Sequence, residues 1–301
     1  MFQGMKENYQ NTHRLEKGKS NGMINTLSEA REHKGILIAA HRGMVAGNIP
    51  HNTIPAFEAA LNQGADILET DVTLSGDGVM FIFHPGKEWG HLNEKVHLEE
   101  MKACDIQKLR YINSCGAKTE YGLPTLDEFL ETYKNRCLIN LDHGWKAMEP
   151  MLKAIRRHHM EDQILVKTPG NPEYAKMMEQ LAPDMMYMPI LKEKDELTPV
   201  LETMGVNFVA AELVFERDDS PLVKQEYLEE HHKKGRLLWC NALLYNYKKQ
   251  LSGSHTDDVA VVGDPDTGWG WLIEHGFDII QTDWVMPLRQ YISYHKCKRG
   301  L

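Results

Sequence analysis

Histidine, arginine and acidic residues come directly after short apolar runs at several points of this sequence. The first such run leads into His41 and Arg42, and a later one ends at His84. Between them, Glu69 and Asp71 stand two residues apart within a third apolar run. Residues two apart on a strand project to the same face, so these carboxylates would lie together and repel each other unless a cation lies between them.

These residue types together suit phosphodiester chemistry. Asp142, at the end of another apolar run, offers a third oxygen ligand. Three carboxylates with water molecules suit Mg²⁺ or Ca²⁺, whereas zinc prefers nitrogen and sulfur ligands. His41 and His84 titrate near neutrality, so one can accept a proton while the other donates one. The guanidinium of Arg42 is a planar fork for phosphate oxygens, which completes an electrostatic clamp.

Apolar runs alternate with amphipathic, helix-like segments along most of the chain. The alternation predicts a parallel sheet covered by helices, with strands buried on both faces. Eight such units close into a TIM barrel of roughly 250 residues, so at least one of the nine runs is not a barrel strand. A doubly wound open sheet is the alternative, but no G-x-G-x-x-G motif follows an early strand. The runs lie at 36–41, 65–72, 79–84, 137–142, 164–168, 186–191, 206–213, 236–243 and 277–284.

The predicted organisation is one α/β barrel with two additions. Residues 1–35 are expected to form a helical extension packed on the barrel, and 36–301 a single TIM-barrel domain. The charged segment at about 85–120 is long for a barrel connection and predicts an insertion after the third strand. The polar residues that end the strands would all open onto one face of the barrel, where active sites are built.

Composition argues against several classes of partner. The formal net charge of −9 is unlike that of a nucleic-acid-binding protein, which carries a basic face. No apolar run approaches the roughly 20 residues that span a bilayer, so stable membrane insertion is not expected. The N-terminus lacks the apolar stretch of a secretory signal, and a cytoplasmic protein is therefore expected.

An ordered set of motifs resembles the glycerophosphodiester phosphodiesterases over roughly residues 36–292. The motifs are "AHRG", "NTIPAFEAALNQGADILETDVTLSGDGVMFIFH", "GLPTLDEFLE", "GRLLWCNAL" and "FDIIQTDWVMPL". The resemblance implies a TIM barrel that binds Ca²⁺ or Mg²⁺ and hydrolyses glycerophosphodiesters to glycerol 3-phosphate and an alcohol, within glycerol and lipid metabolism. It also implies that a glycerol hydroxyl attacks first and that water then opens the resulting cyclic phosphate.

Carried over position by position, the resemblance implies a role for each matching residue. His41 and His84 would be the acid–base pair, and Arg42 would bind the phosphate of a small-molecule phosphodiester. The third metal carboxylate of the family falls at the end of the fourth strand, where this chain has an aspartate. The implied metal ligands are Glu69, Asp71 and Asp142.

The chain departs from the family pattern at three places. His51 stands where the family usually has a glutamate, Pro85 stands after the second histidine in place of an aspartate, and "LDHGW" replaces E-x-K. Lys167, at the end of the next strand, is expected to supply the missing cation and to contact substrate. Trp239 and Asn241 in the W-x-N strand are also assigned to substrate binding. A tryptophan face can hold a choline group by cation–π attraction, and ordinary packing at the barrel rim is the alternative interpretation of the tryptophans.

Two other functions are compatible with these residues, and a third fits them less well. Barrels that act on lysophospholipids in a phospholipase D-like or cyclising reaction share the histidine pair and the acidic metal site. A catalytically degenerate barrel would only bind phosphodiesters. A sugar isomerase or metal hydrolase of another barrel class normally needs more histidine and carboxylate ligands than these strand ends offer.

Overall fold

The computed structural model describes residues 27–244 and 248–299. Residues 1–26 of the predicted extension lie outside the described residues. The described remainder of the extension is helix α1, Leu27–Lys34, which leads into strand β1, Leu37–His41. The helix buries Leu27 and Ala30 and pairs its Arg31 Nε with Asp278 Oδ1 at 2.7 Å.

The predicted TIM barrel is confirmed. Eight parallel strands pair in the order β1, β2, β4, β5, β6, β7, β8, β9, and β9 pairs back with β1 to close the barrel. After β1, the strands are β2 Ile67–Leu74, β3 Met80–Ile82, β4 Leu138–Asp142, β5 Ile164–Pro169, β6 Tyr187–Lys192, β7 Ala210–Val214, β8 Leu237–Asn241 and β9 Ile279–Thr282.

Helices cover the outside of the barrel, and several begin at residues well suited to cap them. Thr53 caps the second helix and Asn171 the seventh, each through a side-chain oxygen that accepts a backbone N–H. Thr125 and Glu128 form a reciprocal capping box at the fifth. After α1, the helices are α2 Ile54–Asn62, α3 Glu88–Leu92, α4 Ala103–Ile106, α5 Leu126–Tyr133, α6 Met148–Arg157, α7 Pro172–Leu181, α8 Thr198–Leu201, α9 Gln225–Lys233, α10 Asp257–Val262, α11 Trp271–His275 and α12 Val285–Arg299.

Strand β3 lies in the third apolar run, at 79–84, and it is the run that is not part of the barrel wall. It pairs antiparallel with the end of β2, with Val72 opposite Ile82 and Leu74 opposite Met80. The position inferred for His84, at the end of a barrel strand, is therefore wrong. His84 reaches the rim because the hairpin turns back over the barrel, where the Phe83 N–H donates to the Asp71 carbonyl at 2.9 Å.

Alternation of side chains along the barrel strands divides the core into two parts. One set of residues packs between the strands and the outer helices. The other set fills the lower interior of the barrel and includes Ala39, Ile67, Leu165, Trp239 and Ile279. Two residues further toward the carboxyl end of each of these strands, the side chain that points into the barrel is polar and not apolar. These side chains form a polar layer. This layer forms the floor of the site.

The segment after β3 carries a small core of its own. Phe81 and Phe83 of the hairpin pack with Leu92, Leu98 and Tyr111 of the segment that follows. The segment thereby lies against the hairpin beside the barrel rim. None of the helices within 27–244 and 248–299 is long and apolar enough to cross a membrane.

Candidate active site

A cavity of about 380 Å³ opens at the carboxyl ends of the barrel strands. Its floor is the polar layer described above, and its rim is built from the loops that follow the strands. The predicted site residues that line the cavity are His41, Arg42, Glu69, Asp142, Lys167 and Asn241. Residues far apart in the chain therefore converge on one face, as the sequence predicts for a parallel barrel.

The three carboxylates predicted as metal ligands lie together. Ligand oxygens of Glu69, Asp71 and Asp142 all lie within 4.8 Å of one another. Asp71 Oδ2 is ion-paired with Arg42 Nε at 2.8 Å and accepts a hydrogen bond from Asn52 Nδ2 at 3.0 Å. Asp71 Oδ1 is buried and has no hydrogen-bond partner among the described residues. An all-oxygen donor set with one such orphaned oxygen fits a hard divalent cation such as Ca²⁺ or Mg²⁺.

Neighbouring charges give the two carboxylates of β2 opposite pKa shifts. Removal from water, together with the neighbouring charge of Asp71, raises the pKa of Glu69 to about 7. Burial acts in the same direction on Asp71, but the guanidinium of Arg42, followed by the neighbouring His84 and His143, holds its pKa well below the usual range. Asp71 is thus the fixed anion of the pair, and full ionisation of Glu69 near neutrality needs further positive charge.

Lys167 is a fixed cation in the floor of the cavity. Its side chain is only 2% exposed, and Nζ lies 2.7 Å from Asp142 Oδ2 and 3.2 Å from Glu212 Oε2. Glu69 Oε1 lies 4.0 Å away. Burial alone lowers the pKa of a lysine, but these three carboxylates hold the pKa of Lys167 above its usual value. The ammonium therefore lies next to Asp142.

The assignment of Trp239 to direct substrate contact is wrong. Its side chain is 0% exposed and lies in the inner apolar core one layer below the polar floor. Its Nε1 donates to Asn241 Oδ1 and Gln281 Oε1, while Asn241 Nδ2 donates to Glu212 Oε1. Trp239 therefore supports the floor from beneath, and Asn241 of the same motif reaches the cavity.

His41 is oriented by an acidic residue that the sequence interpretation did not assign. Its Nδ1 lies 2.8 Å from Asp283 Oδ1. Burial raises the pKa of Asp283, but the hydrogen bond from His41 holds that pKa below its usual value. Asp283 is therefore ionised and can only accept a hydrogen bond. The proton therefore lies on Nδ1, which leaves Nε2 for proton exchange. Asp283 is itself fixed, because its backbone N–H donates to the buried Asp257 at 2.8 Å.

His84 lies beside the cavity rather than in its described wall. Its Nδ1 donates to the Pro85 carbonyl at 2.8 Å, and burial lowers its pKa to about 4. The ring of His143 lies 4.5 Å away, centroid to centroid, and it is His143 that lines the cavity. His143 follows Asp142 in a left-handed conformation with φ 58°, which turns the chain at the strand end. The sequence interpretation did not identify His143.

Comparison with known proteins assigns the chain to a family. It is 30% identical over 188 residues to the glycerophosphodiester phosphodiesterase of Bacillus altitudinis, across 56% of this chain and 73% of that protein. The chain belongs to the glycerophosphodiester phosphodiesterase family. A second protein of that name, from Caldanaerobacter subterraneus subsp. tengcongensis, is 29% identical over 140 residues, which cover 44% of this chain and 57% of that protein. Residues 187–292 also match a family model described as a domain of unknown function.

Solved structures share the fold. A glycerophosphoryl diester phosphodiesterase from Parabacteroides distasonis has a TM-score of 0.71 at 20% identity, over 86% of this chain and 87% of that chain. An Oleispira antarctica phosphodiesterase, solved in complex with the product sn-glycerol-3-phosphate, has a TM-score of 0.61 at 18% identity over 88% and 99%. At these identities the likeness concerns the TIM-barrel architecture.

The structure shows the surroundings of two residues that depart from the glycerophosphodiester phosphodiesterase pattern. His51, in place of the glutamate, stacks on His91 with 5.2 Å between ring centroids, and burial lowers its pKa to about 4. It therefore brings a neutral ring where the family has an acid. Gly144 stands at the position of the family lysine, and a Cβ there would meet Met151 Sδ at 2.1 Å. A side chain at this position would require Met151 to move. The ammonium of Lys167, from the neighbouring strand, lies beside Asp142.

Proposed function

We propose that this protein hydrolyses glycerophosphodiesters to glycerol 3-phosphate and an alcohol in this cavity, with the help of one divalent cation. The observation that carries the proposal is the convergence of His41, Arg42 and the three acidic side chains on one face of a barrel of this family. The activity named for the relatives, and the glycerol 3-phosphate bound by the Oleispira antarctica protein, give the substrate class.

The cation would be held by Glu69, Asp71 and Asp142. When bound, it would neutralise charge on the non-bridging oxygens of the phosphodiester. Either Ca²⁺ or Mg²⁺ matches the oxygen donors. Arg42 contributes a permanent positive charge on the cavity wall, and its ion pair with Asp71 holds the guanidinium in place. Lys167 keeps the floor from becoming too negative for a phosphate to approach.

His41 and His84 are proposed to exchange protons with the substrate. The contact with Asp283 fixes the ring of His41 and stabilises its protonated form, as an acidic partner does for a catalytic imidazole. Nδ1 of His84 is occupied by the Pro85 carbonyl, so Nε2 carries the lone pair. One imidazole takes the proton of the attacking glycerol hydroxyl and the other protonates the departing alkoxide. Water then opens the cyclic phosphate by the reverse proton transfers.

The test is turnover of a panel of glycerophosphodiesters and lysophospholipids, measured as release of glycerol 3-phosphate from the former and of its acylated form, lysophosphatidic acid, from the latter. The assay is run with EDTA and after addition of Ca²⁺ or Mg²⁺. We expect metal-dependent release by the native chain and a loss of about 10²-fold or more in His41→Asn and His84→Asn. His159→Asn is the control, because His159 is exposed at the opposite end of the barrel, in the loop before β5.

Each alternative outcome has a defined meaning. If a lysophospholipid gave its cyclic phosphate without lysophosphatidic acid, the reaction would be a cyclising one and not a hydrolysis. Binding of the panel without turnover, in native and variant chains alike, would identify a degenerate barrel. Full turnover by both histidine variants would overturn the proposed mechanism.

A further inference from the structure

Asp71, His84 and His143 form a second cluster of metal-binding groups, which shares Asp71 with the all-oxygen group. One ligand atom from each of these residues lies within 4.8 Å of the other two. We propose that this cluster is a separate transition-metal position that binds Zn²⁺ through two imidazole nitrogens and one carboxylate oxygen. The donor set differs in kind from the all-oxygen group, since imidazole suits zinc and other late transition metals better than Ca²⁺ or Mg²⁺.

His84 has the hydrogen bonding of a metal-binding histidine. A ligating imidazole usually donates its other N–H to a carbonyl or carboxylate, which fixes the tautomer and the ring orientation. Nδ1 of His84 donates to the Pro85 carbonyl at 2.8 Å. Pro85, which replaces the acid of the family pattern, thus provides the outer contact through its backbone.

Asp71 presents one oxygen that is fixed and one that is available to a metal. Oδ2 is held by Arg42 Nε at 2.8 Å and Asn52 Nδ2 at 3.0 Å. Within the part of the chain that the structure describes, the buried Oδ1 has no hydrogen-bond partner. An unsatisfied buried carboxylate oxygen is costly, and a bound cation would remove that cost. Oδ1 is also the atom nearest the third ligand, 3.8 Å from His143 Nε2.

His143 is the third ligand of the proposed site, beside His84 and Asp71. Its side chain is 23% exposed and lines the cavity, so a metal can enter from that side. Zinc bonds of about 2.1 Å place tetrahedral ligands about 3.4 Å apart, so Asp71 Oδ1 and His143 Nε2, at 3.8 Å, would move slightly closer when a metal binds. The ring of His143 lies against Trp145, with 4.8 Å between ring centroids.

Zinc at this position has a consequence for the proposed reaction. It would occupy the lone pair on His84 Nε2 that proton transfer requires, so the two uses of His84 exclude each other. The inference goes beyond the proposed hydrolysis, and its test needs no turnover.

The experiment is a titration of the EDTA-treated chain with Co²⁺, a spectroscopic substitute for Zn²⁺, followed by visible absorption and by competition with Zn²⁺. We expect one Co²⁺ with a visible absorption typical of nitrogen ligation, displaced by Zn²⁺ and not by Ca²⁺. His143→Asn should weaken binding by at least about 10-fold, since even loss of an outer contact to a ligand costs that much. Asparagine tolerates the left-handed backbone at this position, so the loop should keep its conformation.

Two further variants separate the possible outcomes. His159→Asn changes another left-handed histidine, with φ 52°, and it should bind Co²⁺ as the native chain does. Glu69→Gln removes a ligand of the all-oxygen group only, and it should also retain Co²⁺ binding. The proposal is overturned if the native chain does not bind Co²⁺, if His143→Asn binds it with native affinity and spectrum, or if Glu69→Gln abolishes binding. Circular dichroism confirms that each variant is folded.

Discussion

Replacement of the buried Lys167 by methionine should destabilise the protein strongly. Methionine keeps most of the length and apolar volume of the side chain but removes its charge. Asp142, Glu212 and Glu69 would then face one another without compensation in the floor of the barrel. We expect the free energy of unfolding of the metal-free chain to fall by about 3–5 kcal/mol, the usual cost of removing one partner from a buried ion pair.

The distances set the size of this effect. With an effective dielectric constant of about 20, a unit charge pair attracts by about 6 kcal/mol at the 2.7 Å that separates Lys167 from Asp142. The pair with Glu212 at 3.2 Å contributes about 5 kcal/mol on the same basis. Desolvation of the ammonium costs several kcal/mol, so the net loss is well below the gross attraction.

Urea denaturation of the EDTA-treated chain measures the loss, with Lys153→Met as the matched control. Lys153 pairs with Glu149 at a similar distance of 2.6 Å, but both side chains are more than half exposed. The control should therefore lose no more than about 1 kcal/mol. Saturating Ca²⁺ should restore part of the stability of Lys167→Met, because a cation among the carboxylates replaces the lost charge. Equal losses in the two variants would refute the argument that the buried carboxylates depend on Lys167.

Three further outcomes are expected. The pKa of Glu69 is raised to about 7 from 4.5, so the folded chain binds this proton more tightly than the unfolded chain. The free energy of unfolding of the metal-free chain should therefore fall by about 3 kcal/mol as the pH rises from 4.5 through 7. Urea denaturation at each pH measures this fall, and Glu69→Gln should lack it. Asp283→Asn should lower the rate of glycerol 3-phosphate release by about 10²- to 10⁴-fold, while Asp127→Asn, which changes the acidic partner of the remote His158, should not. Micromolar Zn²⁺ added to the Ca²⁺-loaded chain should inhibit release, and activity at native levels throughout a Zn²⁺ titration would contradict the use of His84 in both sites.

Much of the architecture and of the candidate site follows from the sequence. The apolar runs identify the barrel strands, and the polar residues that end them identify the face of the cavity. The spacing of Glu69 and Asp71 fixes their common face, because alternation along a strand is a local property. Lys167 could be placed beside Asp142 because neighbouring parallel strands end at the same rim.

What the sequence did not reveal depends on relations between strands. The run at 79–84 is as apolar as a barrel strand, so its antiparallel pairing with β2 could not be inferred from composition. The depth of Trp239 depends on the stagger of the strands around the barrel, which the strand's own sequence does not contain. The contact of His41 with Asp283 joins positions 242 residues apart, and it exists because β9 closes the barrel beside β1. His143 was missed because its role depends on a left-handed turn.

The most direct measurement of the central claim is a ³¹P NMR time course of a glycerophosphodiester with the native chain. With Ca²⁺ or Mg²⁺ present, we expect the substrate resonance to give way to that of glycerol 3-phosphate. EDTA should stop the conversion, and added metal should restart it. An unchanged spectrum with metal present, or the same conversion rate in EDTA, would contradict a metal-assisted phosphodiesterase site at Glu69, Asp71 and Asp142.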